Sequence, residues 1–207
     1  MRGNPVPPLF SQRQPYTSDP DVILMLEFQK GDKASFEKLM EKYYKRILNF
    51  AYRFTRNEGT AEDLTQEVFI KVYYAGASYR PQAKFQTWLY TIAKNTCLNE
   101  MRRNQHKDVS LNETFESEES ELKRQVADEK IENPSTGLLR KEVATEVKDA
   151  IHSLPENQRT AVILKRYENL SYKNIAKTMN CSVKAVKSLL NRAKENLKEK
   201  LSPFIDT

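Results

Sequence analysis

The chain has few of the residues that punctuate β structure or build disulfide and metal sites. Only five glycines occur in 207 residues, no Asn-Gly or Asp-Gly pair is present, and no stretch alternates apolar with polar residues for long. Hairpins and sandwiches are therefore not expected. The two cysteines, Cys97 and Cys181, are far apart, and His106 and His152 stand alone. Neither a disulfide framework nor metal-ligand spacing emerges, so both cysteines read as structural residues of a reducing compartment. No apolar run approaches the roughly 18 residues of a membrane span, so no membrane insertion is expected. A glycine-rich phosphate loop is missing, and so is any Ser/His/Asp or Cys/His set at a telling spacing. The sequence offers no candidate catalytic residue, no metal ligand set and no cofactor site.

What is present is charge. Charged residues make up 30% and hydrophobic ones 39%, and the formal net charge is +6 with a sequence pI near 9.1. That balance suits a polyanionic partner, although a basic pI alone also fits a merely solvated surface. The charge is unevenly placed. From Asp108 to Pro134 there are nine acidic residues and three basic ones, whereas from Ala144 to Thr207 there are twelve Lys or Arg and seven Asp or Glu. Four blocks follow: a disordered tail over 1–18, a helical domain over 19–105, a flexible acidic linker over 106–140, and a second helical domain over 141–207. The segments with periodicity all read as helix. The expected fold is all-α, two small helical domains in a cytoplasmic protein.

In the first domain a short helix is expected over Asp21–Gln29, broken by Gly31-Asp32, then a longer one over Ser35–Thr55 with Phe36, Leu39, Tyr43, Ile47, Phe50 and Phe54 as its stripe. Thr60-Ala-Glu-Asp63 reads as a capping box opening the next helix. On that helix Leu64, Val68 and Val72 point one way, and Asp63, Gln66, Glu67, Ile70 and Lys71 populate the rest, as solvated surface or as a docking face for a partner helix. A polar loop, Tyr79–Lys84, leads into a helix over Phe85–Arg103. Its apolar stripe of Phe85, Trp88, Leu89 and Ile92 faces away from a polar, basic row of Asn95, Asn99, Arg102 and Arg103. Aromatic, amide and basic side chains together suit unpaired DNA, because bases stack on rings and cations neutralise phosphate. Core packing is the stronger reading for Phe85 and Trp88; contact with nucleic acid is favoured for Tyr79, Arg80 and Asn95.

The second domain ends in a helix-turn-helix. Ile175, Ala176 and Met179 form the inner face of a short helix, Asn180-Cys181 breaks it, and Ser182 stands at an N-cap position. Val186, Leu190, Ala193, Leu197 and Leu201 then recur at helical steps. The opposite face holds Lys184, Lys187, Ser188 and Asn191, with Arg192 at its edge, a donor-rich surface sized for the DNA major groove.

Two motif sets in order, Glu62-Asp-Leu-Thr-Gln-Glu-Val-Phe69 with Phe85-x-Thr-Trp-Leu-Tyr-x-Ile-Ala-x-Asn95, and Leu154-Pro-x-x-x-Arg159 with Ala185-Val-Lys-Ser-Leu-Leu-Asn-Arg-Ala193, resemble the extracytoplasmic-function (ECF) group of bacterial RNA polymerase sigma factors, over about residues 20–204. The resemblance implies a non-enzymatic factor that binds core RNA polymerase, recognises −35 and −10 promoter elements and promotes melting. It implies polymerase binding through Asp63, Gln66 and Glu67, with Phe69 packed beneath. The −10 strand is expected at Tyr79, Arg80, Gln82, Lys84, Asn95, Asn99, Arg102 and Arg103, which would capture a flipped base. The duplex −35 element is expected at Arg159, Lys184, Lys187, Ser188, Asn191 and Arg192. The linker would thread through the polymerase, and an anti-sigma factor is an expected partner. Ala185 and Leu189 stand where relatives often carry Thr and Arg, and Pro81-Gln82 where they often carry an acidic or glycine-containing stretch. Two other classes remain open to the residues themselves: a dimeric DNA-binding regulator using the same helix-turn-helix, and, with far less support, an enzyme.

Overall fold

A computed structural model describes residues 16–110 and 134–202, with side chains described over 16–104 and 143–202. The described residues form helices and no strand: α1 (Pro20–Gln29), α2 (Lys33–Thr55), α3 (Glu58–Gly76), α4 (Phe85–Ser110), α5 (Pro134–His152), α6 (Glu156–Arg166), α7 (Tyr172–Thr178) and α8 (Val183–Leu201). The expected tail, but for its last three residues, and most of the expected linker lie outside them. At both borders of the linker, helix replaces it: α4 continues past residue 106 and α5 begins at Pro134.

Short side chains decide where the helices start. Asp19 accepts from the amides of Asp21 and Val22 and is followed by Pro20, whose fixed φ suits a first turn. Asp32 accepts from the Ala34 amide after Gly31, which at φ 106° takes the left-handed conformation that ends α1. The expected capping box at Thr60 is not used. Asn57 caps α3 instead, its side chain accepting from the Thr60 amide at 2.8 Å. The reason lies one residue earlier: Arg56 turns left-handed at φ 55°, which reverses the chain at once and leaves Asn57 extended beside the exposed amides. Thr60 is then already inside the first turn.

Helices α1–α4 close around Val22, Met25, Leu39, Ile47, Phe50 and Leu89, each 1% exposed or less. Cys97 belongs to this core, and burial pushes its thiol up to about 12, so it packs as a small apolar residue. Among the described residues of these helices Asp21 is the one buried carboxylate; the Tyr43 hydroxyl donates to it at 2.6 Å and Lys42 pairs with its other oxygen. Helices α5–α8 bury Ile163, Leu164, Ile175, Val186 and Ala193 completely.

The two helical groups are not held apart. Ile163, Leu164, Leu170 and Ile175 merge with the core of the first group into one apolar cluster. The polar centre of the contact is Glu168, on the turn between α6 and α7 and 5% exposed. The Tyr90 hydroxyl donates to its carboxylate, the Arg46 guanidinium lies 3.5 Å away, and the Gln86 amide donates to its backbone oxygen at 3.3 Å. Around this centre Arg53 stacks on Tyr167 at 3.9 Å, Arg102 pairs with Glu156 at 2.9 Å, and Arg56 pairs with Asp149. Burial of a carboxylate costs several kcal/mol unless its oxygens are satisfied, so this centre ties the packing to one register.

Burial raises the Glu168 carboxyl above its usual range, with Tyr90 and Arg46 only partly offsetting it. An acid whose pKa rises on folding holds its proton longer in the folded state. Stability from this group is therefore lost as pH rises from the ordinary carboxylate value through the raised one. We expect Glu168→Gln, which keeps an oxygen for Tyr90 and removes the charge, to flatten that part of the stability profile, read by thermal melting of both proteins between pH 4 and neutrality. Identical profiles would mean that Glu168 ionises freely.

Candidate nucleic-acid interface

Ser182 caps α8 by accepting from the Ala185 amide at 3.1 Å, and Ser171 caps α7 by accepting from the Asn174 amide at 3.2 Å. Between them Asn180 is left-handed at φ 51°, the conformation that Asn tolerates better than most residues. This tight turn sets α8 across α7, with Val186 and Ala193 buried between α8 and the rest of the group. Lys184, Lys187, Ser188, Asn191 and Arg192 are all exposed on the outer face, as their helical spacing demands.

Arg159 does not join them. It is 6% exposed, and its guanidinium donates to the His152 carbonyl at 3.0 Å, contacts Met101 Sδ at 3.7 Å and lies 5.8 Å from the Phe54 ring centre. The structure therefore does not place Arg159 beside the outer face of α8: in this arrangement it caps α5 and bridges to the first group. Its position near the start of α6 turns it towards the end of α5 rather than towards the recognition helix.

On the first group, Asn95, Asn99, Arg102 and Arg103 form an exposed row along α4, and Arg80, Gln82 and Lys84 are exposed in the loop before it. Arg103 is paired with Glu100 at 2.7 Å, and Arg102 with Glu156 of the second group. Tyr79 departs from expectation. It is 3% exposed, its ring packs 4.8 Å from Trp88 and 6.3 Å from Phe85, and its hydroxyl is buried without a hydrogen-bond partner. Burial holds that hydroxyl well above its usual pKa. A loop tyrosine next to two aromatic helix positions folds inwards, because edge-on packing against both rings removes its apolar surface from water. Phe85, 1% exposed, and the half-buried Trp88 pack in the core, where sequence analysis favoured them. The second group leans on this loop: Lys177 donates to the Gln82 carbonyl at 3.2 Å and Thr178 to the Thr87 carbonyl at 3.4 Å.

A third surface is apolar. Between α2 and α3 runs an open groove of about 500 Å³ lined by Phe36, Met40, Tyr44, Gln66, Phe69, Ile70, Tyr73 and Tyr74. Ile70 is 56% and Tyr74 76% exposed, a cluster of a kind that marks protein contacts when contiguous. Gln66 and Phe69, both named through the resemblance, line the groove; Asp63 and Glu67 are exposed on the same side of α3, Glu67 paired with Lys71 at 2.6 Å. Tyr44, Tyr73 and Tyr74 escaped the reading. The signal was a second apolar stripe, Ile70-Tyr73-Tyr74, beside the core stripe of α3. Among the described residues no group of His, Cys, Asp and Glu could hold a metal ion, and no helix is long and apolar enough to cross a membrane.

Residues 39–107 match the family model for Sigma-70 region 2 and residues 144–197 that for Sigma-70 region 4. The chain is 38% identical to the RNA polymerase sigma-H factor of Pseudomonas aeruginosa, over 91% of this chain and 97% of that one. It is 36% identical to the ECF RNA polymerase sigma-E factor of Escherichia coli, over 89% and 96%. The fold is shared with the sigma factor RpoE from Bartonella quintana, solved in complex with the anti-sigma factor NepR, at a TM-score of 0.64 and 23% identity, over 83% of this chain and 98% of that one. It is also shared with CnrH, solved in complex with the cytosolic domain of CnrY, at a TM-score of 0.65 and 21% identity, over 88% and 97%. With both regions matched in order and a relative this similar along nearly its whole length, the chain belongs to the ECF group of the sigma-70 family, RNA polymerase sigma factors that recognise promoters and initiate transcription.

Proposed function

We propose that three faces divide the work of this sigma factor. The α2–α3 groove, with Asp63, Gln66 and Glu67 beside it, docks core RNA polymerase. The outer face of α8, through Lys184, Lys187, Ser188, Asn191 and Arg192, reads the duplex −35 element. The loop over 79–84 and the Asn95–Arg103 row take the unpaired −10 strand. The observation that carries this division is the segregation of chemistry: exposed rings and aliphatics line one face, while the two basic, amide-bearing faces carry almost none. Burial of apolar surface drives protein association, whereas charge and donors drive contact with DNA.

The action is non-enzymatic. Each good side-chain fork on a base edge discriminates by about 1–3 kcal/mol, and each base stacked on a ring is worth about the same. A face that binds only the extruded base draws the equilibrium towards melted DNA. In this reading Tyr79 reaches a base only when its ring leaves Trp88. The packing around Glu168 has a consequence as well. The two elements lie about 25 base pairs apart, or roughly 85 Å at the helical rise of 3.4 Å per pair. A compact chain of this length has a radius of gyration of about 17 Å. The two helical groups must therefore part before both elements are held at once. The factor works in the cytoplasm with core polymerase, and an anti-sigma factor would compete for the exposed groove.

Run-off transcription from fragmented genomic DNA with core polymerase, with and without the chain, tests the whole reading. New start sites sharing two upstream elements support it. Duplex binding by a stable dimer of the chain, with no new starts, would favour a conventional regulator instead. Two variants separate the faces. Ile70→Asp puts a charge in the groove and should weaken polymerase affinity at least about tenfold while leaving binding to −35 duplex unchanged, both read by fluorescence anisotropy. Lys187→Ala should do the reverse, lowering selection of the −35 element by about 1–3 kcal/mol at undiminished polymerase affinity. Retained promoter selectivity in that variant would move the reading face elsewhere.

A further inference from the structure

Gln29 is the last residue of α1, and the sequence gives it no evident task. Its side-chain amide reaches across the first helical group to the end of α3. There it donates to the carbonyl of Gly76 at 2.7 Å and of Tyr79 at 3.0 Å, with a third, longer contact to Ala77 at 3.3 Å. The last carbonyls of a helix have no partner within it. α3 meets part of that need itself, since Ser78 turns back to Ala75 and the Tyr79 amide donates to Gly76 at 3.1 Å. The Gln29 amide has two hydrogens, and it spends them on both ends of the Gly76–Tyr79 turn.

A second observation shows how closely this junction is made. A β-carbon on Gly76 would stand 2.6 Å from Phe28 Cε1 and 2.9 Å from Met25 Cε. The end of α3 thus lies directly against the Phe28 and Met25 side chains of α1, with no room for a side chain of its own at Gly76, and Gln29 bonds the chain where it leaves that contact. The next peptide carries Arg80, followed by the tight turn in which the Gln82 amide donates to the Arg80 carbonyl at 2.8 Å. Everything from Tyr79 to Lys84 starts from the direction set at this point.

We propose that Gln29 is a positioning residue for promoter reading: it orients the loop over 79–84 without touching DNA, and so sets which base that loop accepts. This rests on the proposed role of the loop in taking the unpaired strand. Gln29→Ala removes both donors. Gln29→Glu keeps the size but sets carboxylate oxygens against three carbonyl oxygens, so it is the more disruptive change. Gln29→Asn keeps the amide one methylene short and restores part of the effect.

The test uses the full chain assembled with core polymerase. Binding is measured to single-stranded oligonucleotides carrying the −10 element mapped by run-off transcription, and to versions with each base changed in turn. The wild type should discriminate between them. Gln29→Ala should lose discrimination by about tenfold, the loss expected from two neutral hydrogen bonds, Gln29→Glu more, and Gln29→Asn less. Polymerase affinity, −35 duplex binding and melting temperature are measured beside it. A purely structural role lowers all of these together and leaves the base ranking unchanged, and that pattern would overturn the proposal. So would variants that discriminate as the wild type does. A wild type that does not discriminate removes the reading of the loop itself, and this inference with it.

Discussion

One buried carboxylate organises the contact between the two halves of the molecule. Glu168 sits on the turn that leads into the helix-turn-helix, yet its partners, Tyr90 and Arg46, belong to the first group of helices. Apolar packing alone would hold these surfaces together in several registers. A buried charge that is satisfied at one position and costly at any other removes that freedom. Tyr90 is itself fully buried, and its hydroxyl is held well above its usual pKa by burial and by Glu168. The pair therefore stays a neutral donor and its acceptor, and while the halves are packed each meets its polar need there through the other.

If the faces divide the work as proposed, the two DNA-reading surfaces touch each other in this arrangement. Arg102, on the row that suits unpaired DNA, is engaged with Glu156, and Lys177 of the helix-turn-helix rests on the loop at Gln82. Contacts of this kind are exposed or half-exposed and individually weak. They are also of the same chemistry as phosphate contacts, so under the proposed assignment of faces a nucleic acid would compete for them directly. The outer face of α8 and the α2–α3 groove, by contrast, stay open while the halves are packed. In the proposed division of faces, duplex and polymerase each meet an open surface, and the melted strand meets an exposed one on which Arg102 and the Gln82 carbonyl are already engaged by the second group.

Much of this was legible from local rules. The Ser182 cap, the break at Asn180, the buried Val186 and Ala193 and the exposed Lys184–Arg192 face all follow from a period of 3.6 and from a short hydroxyl side chain placed before a helix. Asp63, Gln66 and Glu67 were placed on the outer side of α3 by the same reasoning. Local rules misled where two of them competed. Thr60 met the pattern of a capping box, but the left-handed Arg56 brought Asn57 to the amides first. Tyr79 and Arg159 carried groups suited to DNA, and packing took both: Trp88 covers the one, and His152, Phe54 and Met101 surround the other.

By itself the sequence determined the all-α class, the order of the two regions, the recognition helix and its polar face, because each depends on residues three to eleven positions apart along one helix. Only the tertiary structure decided that Glu168 meets Tyr90, that Gln29 bonds a turn 47 to 50 residues away, and that Tyr44, Phe36 and Tyr74 share one groove. Those pairings join side chains distant in sequence, and no periodicity encodes them. They are set by how the apolar stripes of different helices close on one another, and polar groups then bond to whatever that closure brings within reach.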